Sequence, residues 1–246
     1  MGTADMKAMI FAAGLGTRLR PLTDSVPKAL VKVGGVPMLA RVLDKVRKAG
    51  ISEAVVNACY LKEQIVSFVR ENYPDVEVSV EDGEEPLETG GGIKRARGLL
   101  GEGRFLVHNA DILSDVDLKW FIGKDRPGSL ATLLVTSAPA DRYLLFDDGM
   151  RLVGWTNVRT GEVKSPYPDF DPSLYRKLSF CGIHILSDEA FALMEDWPRR
   201  FSITDFYLAQ AAQHPIYGVE APGLRLIDIG SPEKLAEAEA EISAFL

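Results

Sequence analysis

The sequence predicts an α/β protein, a three-layer sandwich built on a mostly parallel central sheet. Two patterns point there. Up to Val135, short apolar runs alternate with segments whose apolar residues recur at helical spacing. Several of those runs end in glycines or polar residues, as strands do at the functional rim of such sheets. Size agrees: 246 residues, 46% hydrophobic and 26% charged, can bury a substantial core, and residues 1–246 are expected to form a single domain.

Ala8–Ala13 is a short apolar run feeding a glycine-rich loop, and reads as a buried strand. Pro37–Ala49 carries Met38, Leu39, Val42, Leu43 and Val46 on one helical stripe, and Gly50 stops it. Ala54–Ala58 is again strand-like. Lys62–Asn72 returns to helical spacing through Ile65, Val66, Phe68 and Val69, and Val76–Val80 alternates with period two. After Gly90–Gly92 a helix is expected to about Arg97. Phe105–Asn109 is a strand ending in polar residues, and Leu130–Val135 is another buried run. Such β-α-β-α alternation is Rossmann-like, with helices on both faces. It places function at the carboxyl ends of strands, near Ala13–Thr17, Asn109–Asp111 and Asp228.

From Ala138 to Lys177 the alternation fails. Asp147-Asp148-Gly149 reads as a hairpin turn, and Lys164–Tyr175 holds three prolines and several aromatics. Residues 138–178 are therefore expected to be a β-rich insertion packed over the edge of the sheet. Phe180–Leu186 resumes strand character. Ile203–Gln213 and Pro232–Ala244 read as helices, the latter with proline in its first turn.

The net charge of -7 excludes a global basic field for nucleic acid, while leaving room for a local cationic pocket. Cys59 and Cys181 form neither a metal knuckle nor a disulfide framework. Met1–Lys7 lacks a signal pattern, and no run reaches the roughly 20 apolar residues of a membrane span. The expectation is a cytoplasmic protein acting on soluble metabolites, without nucleic-acid or membrane partners, as a monomer or small homo-oligomer.

The segment from Ala12 to Leu30 reads A-A-G-L-G-T-R-L-R-P-L-T-D-S-V-P-K-A-L. Small residues and glycines let backbone N–H groups approach an anion without obstruction. Arg18 offers a planar fork for phosphate oxygens and Lys28 a point charge. Pro21 and Pro27 stiffen the chain between them. A dinucleotide fingerprint would need glycine where Leu19 stands, and no Gly-Lys-Ser/Thr of a Walker loop is present. The residues alone then read as a phosphate-binding loop of another kind, the alternative being a tight surface turn.

G-x-G-T-R-L-x-P-L-T followed by P-K-x-L resembles the signature of the sugar-1-phosphate nucleotidylyltransferase family. Later segments match that family in order, so the resemblance covers nearly the whole chain. It implies transfer of a nucleotidyl group from an NTP to a sugar 1-phosphate, release of pyrophosphate, and Mg2+ as cofactor. Val107-His108-Asn109-Ala110-Asp111 resembles the element whose aspartate holds Mg2+, with Ala110 in place of the more frequent glycine. Leu226-Ile227-Asp228-Ile229-Gly230 resembles the late element that supplies the second metal ligand. Read alone, Asp111 would cap a following helix and Asp228 would mark an ordinary strand-to-helix junction.

The resemblance also implies roles for Arg18 on the departing β,γ-phosphates and Lys28 at the α-phosphate. Nucleotide contacts are implied for Ala12, Ala13, Gly14, Gly16, Thr17, Glu88, Thr89, Gly90 and Asn109. Phe180-Cys181-Gly182-Ile183 resembles the strand lining the sugar pocket, with Gly182 admitting the sugar and Asn157 contacting a hydroxyl. His184 reads as a packing residue. The form L-E-T-G-G-G at Leu87–Gly92 is closest to the short N-acetylmuramate-1-phosphate uridylyltransferase branch, favouring UTP; many guanylyltransferases carry Gly-Thr-Ala-Gly there. Rival readings are GTP with mannose- or heptose-1-phosphate, a non-catalytic sugar-nucleotide-binding regulatory subunit, and a glycosyltransferase using Asp115-Val116-Asp117. That last motif lies at a helix start, where capping explains it better.

Overall fold

A computed structural model of the protein describes residues 6–83 and 85–245. The residues before Met6, where the absence of a signal pattern was partly read, lie outside that range. The elements in chain order are β1 (Lys7–Phe11), β2 (Lys32–Val33), β3 (Val36–Pro37), α1 (Met38–Lys48), β4 (Ala54–Ala58), α2 (Lys62–Asn72) and β5 (Val76–Val80). Then follow α3 (Glu88–Leu100), β6 (Arg104–Asn109), β7 (Ile112–Ser114), α4 (Leu118–Ile122), β8 (Ala131–Thr136), β9 (Arg142–Phe146), β10 (Leu152–Asn157) and β11 (Glu162–Lys164). The chain continues through β12 (Arg176–Ser187), α5 (Glu189–Leu193), α6 (Ile203–Gln210), β13 (Ile216–Glu220), β14 (Leu226–Asp228) and α7 (Pro232–Glu241). No helix of the described residues is long and apolar enough to cross a membrane.

The strands β5-β4-β1-β6 are all parallel and form the Rossmann-like heart of a mixed sheet. Alternation along β1 explains the layers. Ala8 and Ile10 face a core shared with Leu39, Leu43, Ile65 and Phe121 from α1, α2 and α4. Met9 faces the opposite core, with Ile93, Phe191, Phe206 and Tyr207 from α3, α5 and α6. With period-two strands sandwiched between two helical layers, both faces of β1, β4 and β6 are buried. A third, smaller core joins Val31, Val33, Met38, Leu113, Ile227, Ile229 and Ala238 beneath α7.

Two expectations need correction. Residues 138–178 do not pack over the sheet's edge; β9, β10 and β11 continue the sheet itself, antiparallel, through β12. The cause lies in β12, which is longer than Phe180–Leu186 and changes partner along its length. Arg176–Leu178 pair with β9, whereas the stretch from Ile183 lies between β6 and β8. The register shifts between Phe180 and His184, and Gly182 there has φ 69°, a bulge that re-aims the strand.

The second correction concerns Gly90–Gly92, which stand inside α3 and not ahead of it. Each is glycine because something else is too near for a Cβ. At Gly90 a Cβ would run into the Phe201 ring, and at Gly91 into the Arg199 carbonyl oxygen. At Gly92 it would lie 3.0 Å from Asn57 Nδ2. The N–H groups of Gly90 and Gly91 donate to Phe201 O at 2.9 and 3.3 Å, so the start of α3 is strapped to the segment leading into α6.

Candidate active site

The loop after β1 is rooted by two hydrogen bonds, one to a side chain and one between backbones. Ala12 N–H donates to Asn57 Oδ1 on β4 at 2.8 Å, and Ala110 N–H donates to Phe11 O at 3.0 Å. Beyond the root the chain emerges: Gly14 is exposed, and a Cβ there would meet nothing within 4 Å. Gly16 has φ 63°, and a Cβ would sit 2.9 Å from Thr23 Cγ2. Only glycine lets the short 3-10 turn Thr17–Leu19 start there. The Thr23 hydroxyl donates to Gly16 O at 2.7 Å and Leu19 is buried, so the turn is held from below with Arg18 outside.

Lys28, in a later 3-10 turn (Lys28–Leu30), brings its ammonium between two carboxylates. It donates to Asp111 Oδ2 in a short bond and to Asp228 Oδ1 at 3.3 Å. The aspartates meet because β7 pairs with β14 antiparallel, Ile112 opposite Asp228, and Ile229 N–H donates to Asp111 O at 3.1 Å. Arg18 completes the group: a Cβ on Gly230 would lie 2.5 Å from Arg18 Nη2 and 2.9 Å from Asp228 Oδ1. The guanidinium therefore rests on the bare backbone of Gly230 beside Asp228. Burial, and then the neighbouring charge of Asp111, push the Asp228 carboxyl above its ordinary range, while Lys28 and Arg18 pull it back.

Among the described residues no group of three or more His, Cys, Asp or Glu side chains could hold a metal. The Asp111–Asp228 pair nonetheless fits a hard divalent cation. Its carboxylates already share one cationic group, the Lys28 ammonium. Mg2+ is commonly held by one or two carboxylates, with phosphate oxygens and water filling its octahedron.

The remaining predicted residues lie around this centre with less freedom than the sequence implied. Asn109 ends β6, and the room left by Gly182 is taken by its amide, 2.6 Å from where a Cβ would stand. Asn157 is buried at the end of β10, where its Oδ1 accepts from Arg159 N at 3.0 Å and Thr160 N at 3.3 Å, shaping the turn into β11. Beside Phe180 a cleft of about 520 Å³ opens between β9, β10 and α6, lined by Arg142, Tyr143, Trp155, Lys164 and Thr204. Thr89 Oγ1 accepts from Ile203 N at 2.9 Å. Burial depresses His184 to about 3 and His108 to about 4, so both are neutral; His184 packs edge-on to Tyr207.

Glu88 opens α3 at φ 61°, a left-handed conformation that costs a non-glycine residue about 1–2 kcal/mol. Its carboxylate accepts from Arg200 Nε at 3.1 Å, an exposed pair of little net worth. Glu88→Gly is therefore expected to stabilise the fold by about 1 kcal/mol, raising the melting temperature by roughly 2–4 °C in calorimetry. A lower melting temperature would mean that the Arg200 pair outweighs the strain.

The Asp115-Val116-Asp117 motif has local duties. Asp117 caps α4 through Lys119 N at 2.8 Å and Trp120 N at 3.3 Å, and Asp115 accepts from Arg225 N and Nε, each at 3.0 Å. A cleft of about 620 Å³ beside it is lined by α1, β7 and α4 and includes none of Arg18, Lys28, Asp111 or Asp228. Two residues at the centre escaped the sequence reading. Asn57 is 2% exposed and Glu81 fully buried, and they are bonded to each other, Asn57 Nδ2 to Glu81 Oε1 at 2.7 Å. The available signal was a polar residue inside the buried run Ala54–Ala58, which must find a partner.

A glycine-rich loop and a cation bridging two carboxylates, placed at the carboxyl rim of a parallel sheet, make a candidate site for a phosphate-bearing ligand. Residues 7–143 match the nucleotidyl transferase family, and the chain belongs to it and is a nucleotidyltransferase. A Caulobacter vibrioides protein named N-acetylmuramate alpha-1-phosphate uridylyltransferase is 31% identical, with 99% of each chain aligned. Mannose-1-phosphate guanylyltransferase 1 of Arabidopsis thaliana is 30% identical over 92% of this chain and 62% of its own. The solved structure of HddC from Yersinia pseudotuberculosis, complexed with GMP-PN, superposes with a TM-score of 0.73 at 25% identity, covering 96% of this chain and 99% of that one.

Proposed function

We propose that the protein transfers a nucleotidyl group from an NTP to a sugar 1-phosphate, giving an NDP-sugar and pyrophosphate, with UTP and N-acetylmuramate 1-phosphate as its substrates. The convergence of Arg18, Lys28, Asp111 and Asp228 on one rim carries the reaction class. The substrate pair is supported by the full-length likeness to the Caulobacter vibrioides uridylyltransferase and by the form L-E-T-G-G-G at Leu87–Gly92, where many guanylyltransferases carry Gly-Thr-Ala-Gly. GTP with a mannose- or heptose-1-phosphate is the second reading, favoured by the likeness to the Arabidopsis guanylyltransferase.

The sugar-phosphate oxygen that attacks the α-phosphorus is already anionic, so no general base is needed. The chain's work is positioning and neutralisation of charge. Amides of Ala12, Ala13, Gly14, Gly16 and Thr17 cradle the triphosphate, Arg18 holds the departing β,γ-phosphates, and Lys28 neutralises charge growing at the α-phosphate. Glu88, Thr89 and Gly90 flank the base. Asn109 lies between nucleotide and sugar, with Asn157 and Gly182 shaping the sugar side. Asp111 and Asp228 would hold Mg2+, which when bound cancels repulsion between the two reacting phosphates. A non-catalytic regulatory subunit would have no use for this complete set. The substrates are soluble metabolites, consistent with a cytoplasmic protein.

The test is pyrophosphate release from four NTPs crossed with several sugar 1-phosphates. UTP with N-acetylmuramate 1-phosphate is expected to give the highest kcat/KM, and no release across the whole panel would favour the regulatory subunit. EDTA is expected to abolish turnover and added Mg2+ to restore it; turnover persisting in chelator would remove the metal from the scheme.

A further inference from the structure

We infer that Asn57 and Glu81 form a buried relay that fixes the phosphate loop and the base-side loop in register, making both of them positioning residues for the NTP. The chain of bonds is continuous and converges from both ends on the Glu81 carboxylate. Ala12 N–H, at the root of the phosphate loop, donates to Asn57 Oδ1 at 2.8 Å. Asn57 Nδ2 donates to Glu81 Oε1 at 2.7 Å, and Leu87 N–H, at the root of the base-side loop, donates to Glu81 Oε2 at 2.8 Å. Ala12, Asn57, Glu81 and Leu87 are all buried, so water does not compete for these groups.

Every atom in the relay has a fixed sense. Asn57 must accept at one end and donate at the other, and Glu81 must accept at both. Gly92 belongs to the same arrangement, since a Cβ there would lie 3.0 Å from Asn57 Nδ2 and 3.4 Å from Glu81 Oε1. The two loops are far apart in sequence and leave different strands, β1 and β5. A ligand that spans them binds with the affinity of a joined pair only while their spacing matches its own length.

The sense of the bonds supplies the test. Asn57→Asp sets two carboxylates face to face, and Glu81→Gln sets two amide N–H groups face to face. When the two substitutions are combined, the new carboxylate at position 57 accepts from both Ala12 N and the new amide at position 81. That amide still accepts from Leu87 N through its carbonyl oxygen, and every group is paired again.

The inference rests on the reading that Ala12–Thr17 and Glu88–Gly90 hold one NTP. That reading fails separately, if the unchanged protein releases pyrophosphate from no NTP. With whichever of UTP and GTP the unchanged protein uses, each single variant is expected to raise the NTP KM about tenfold or more. The KM of the sugar 1-phosphate and the binding of inorganic tripolyphosphate or of the free nucleoside should stay within about twofold. The double variant should return the NTP KM to within about threefold of the original.

A purely structural role would weaken fragments and intact NTP alike. That result would overturn the inference, as would an unchanged NTP KM in folded single variants or a double variant no better than the worse single one. Should a single variant fail to fold, Gly92→Ala, which presses on the relay without removing any member, takes its place with the same expected split between NTP and fragments.

Discussion

Asp111→Asn is expected to lower kcat about a hundredfold or more while leaving the fold intact. Among the described residues the carboxylate bonds only to Lys28, whereas the backbone carbonyl of the same residue ties down Ile229. Removing the charge therefore leaves the β7–β14 pairing untouched, and it relieves part of the like-charge pressure on Asp228. What is lost is one member of a preorganised electrostatic set, worth roughly 3 kcal/mol of transition-state stabilisation. Lys28→Ala should fail to a similar degree, because the charge growing at the α-phosphate then has no ammonium beside it. Steady-state kinetics at saturating substrates, beside a thermal melt, decide the matter; near-normal kcat in either variant would remove that residue from its assigned role.

Gly230→Ala is expected to weaken kcat/KM for the NTP about tenfold or more with almost no change in melting temperature. Gly230 is not in the left-handed region, so alanine brings no backbone strain. Its Cβ would stand 2.5 Å from Arg18 Nη2, the tip of a long flexible side chain in an exposed turn. Such a tip moves aside cheaply, but moving it displaces the planar fork proposed to hold the leaving phosphates. In an Arg18→Ala background the same substitution should cost much less, keeping only the part owed to Asp228 Oδ1, 2.9 Å from the new Cβ. Additive losses in the double variant would show that Gly230 acts through something other than Arg18.

The legible parts of the fold were those governed by near neighbours. Lys62–Asn72 and Val76–Val80 match their predicted bounds because a period of apolar residues declares itself within one element. The path of β12 was hidden because its two halves are defined by different partners, β9 on one side and β6 with β8 on the other. Gly90–Gly92 looked like a loop because the residues that require glycine there, Arg199 and Phe201, lie far along the chain. In the candidate site, the Ala12–Lys28 loop could be read from its own composition, but the pairing of Asp111 with Asp228 was expected only through resemblance. Asn57 and Glu81 remained out of sight, since a buried polar residue announces that it has a partner without saying which.

The β7–β14 ladder gives the protein a chronology. Arg18, Lys28 and Asp111 are synthesised before β7 and all the strands after it, whereas Asp228 arrives only after every strand of the ten-stranded sheet. Leu113 waits for Ile227 and Ile229 to close the small core beneath α7, so the constellation and that core are completed in one late, long-range event. A nascent chain thus carries the glycine-rich loop well before it carries Asp228, the second member of the carboxylate pair.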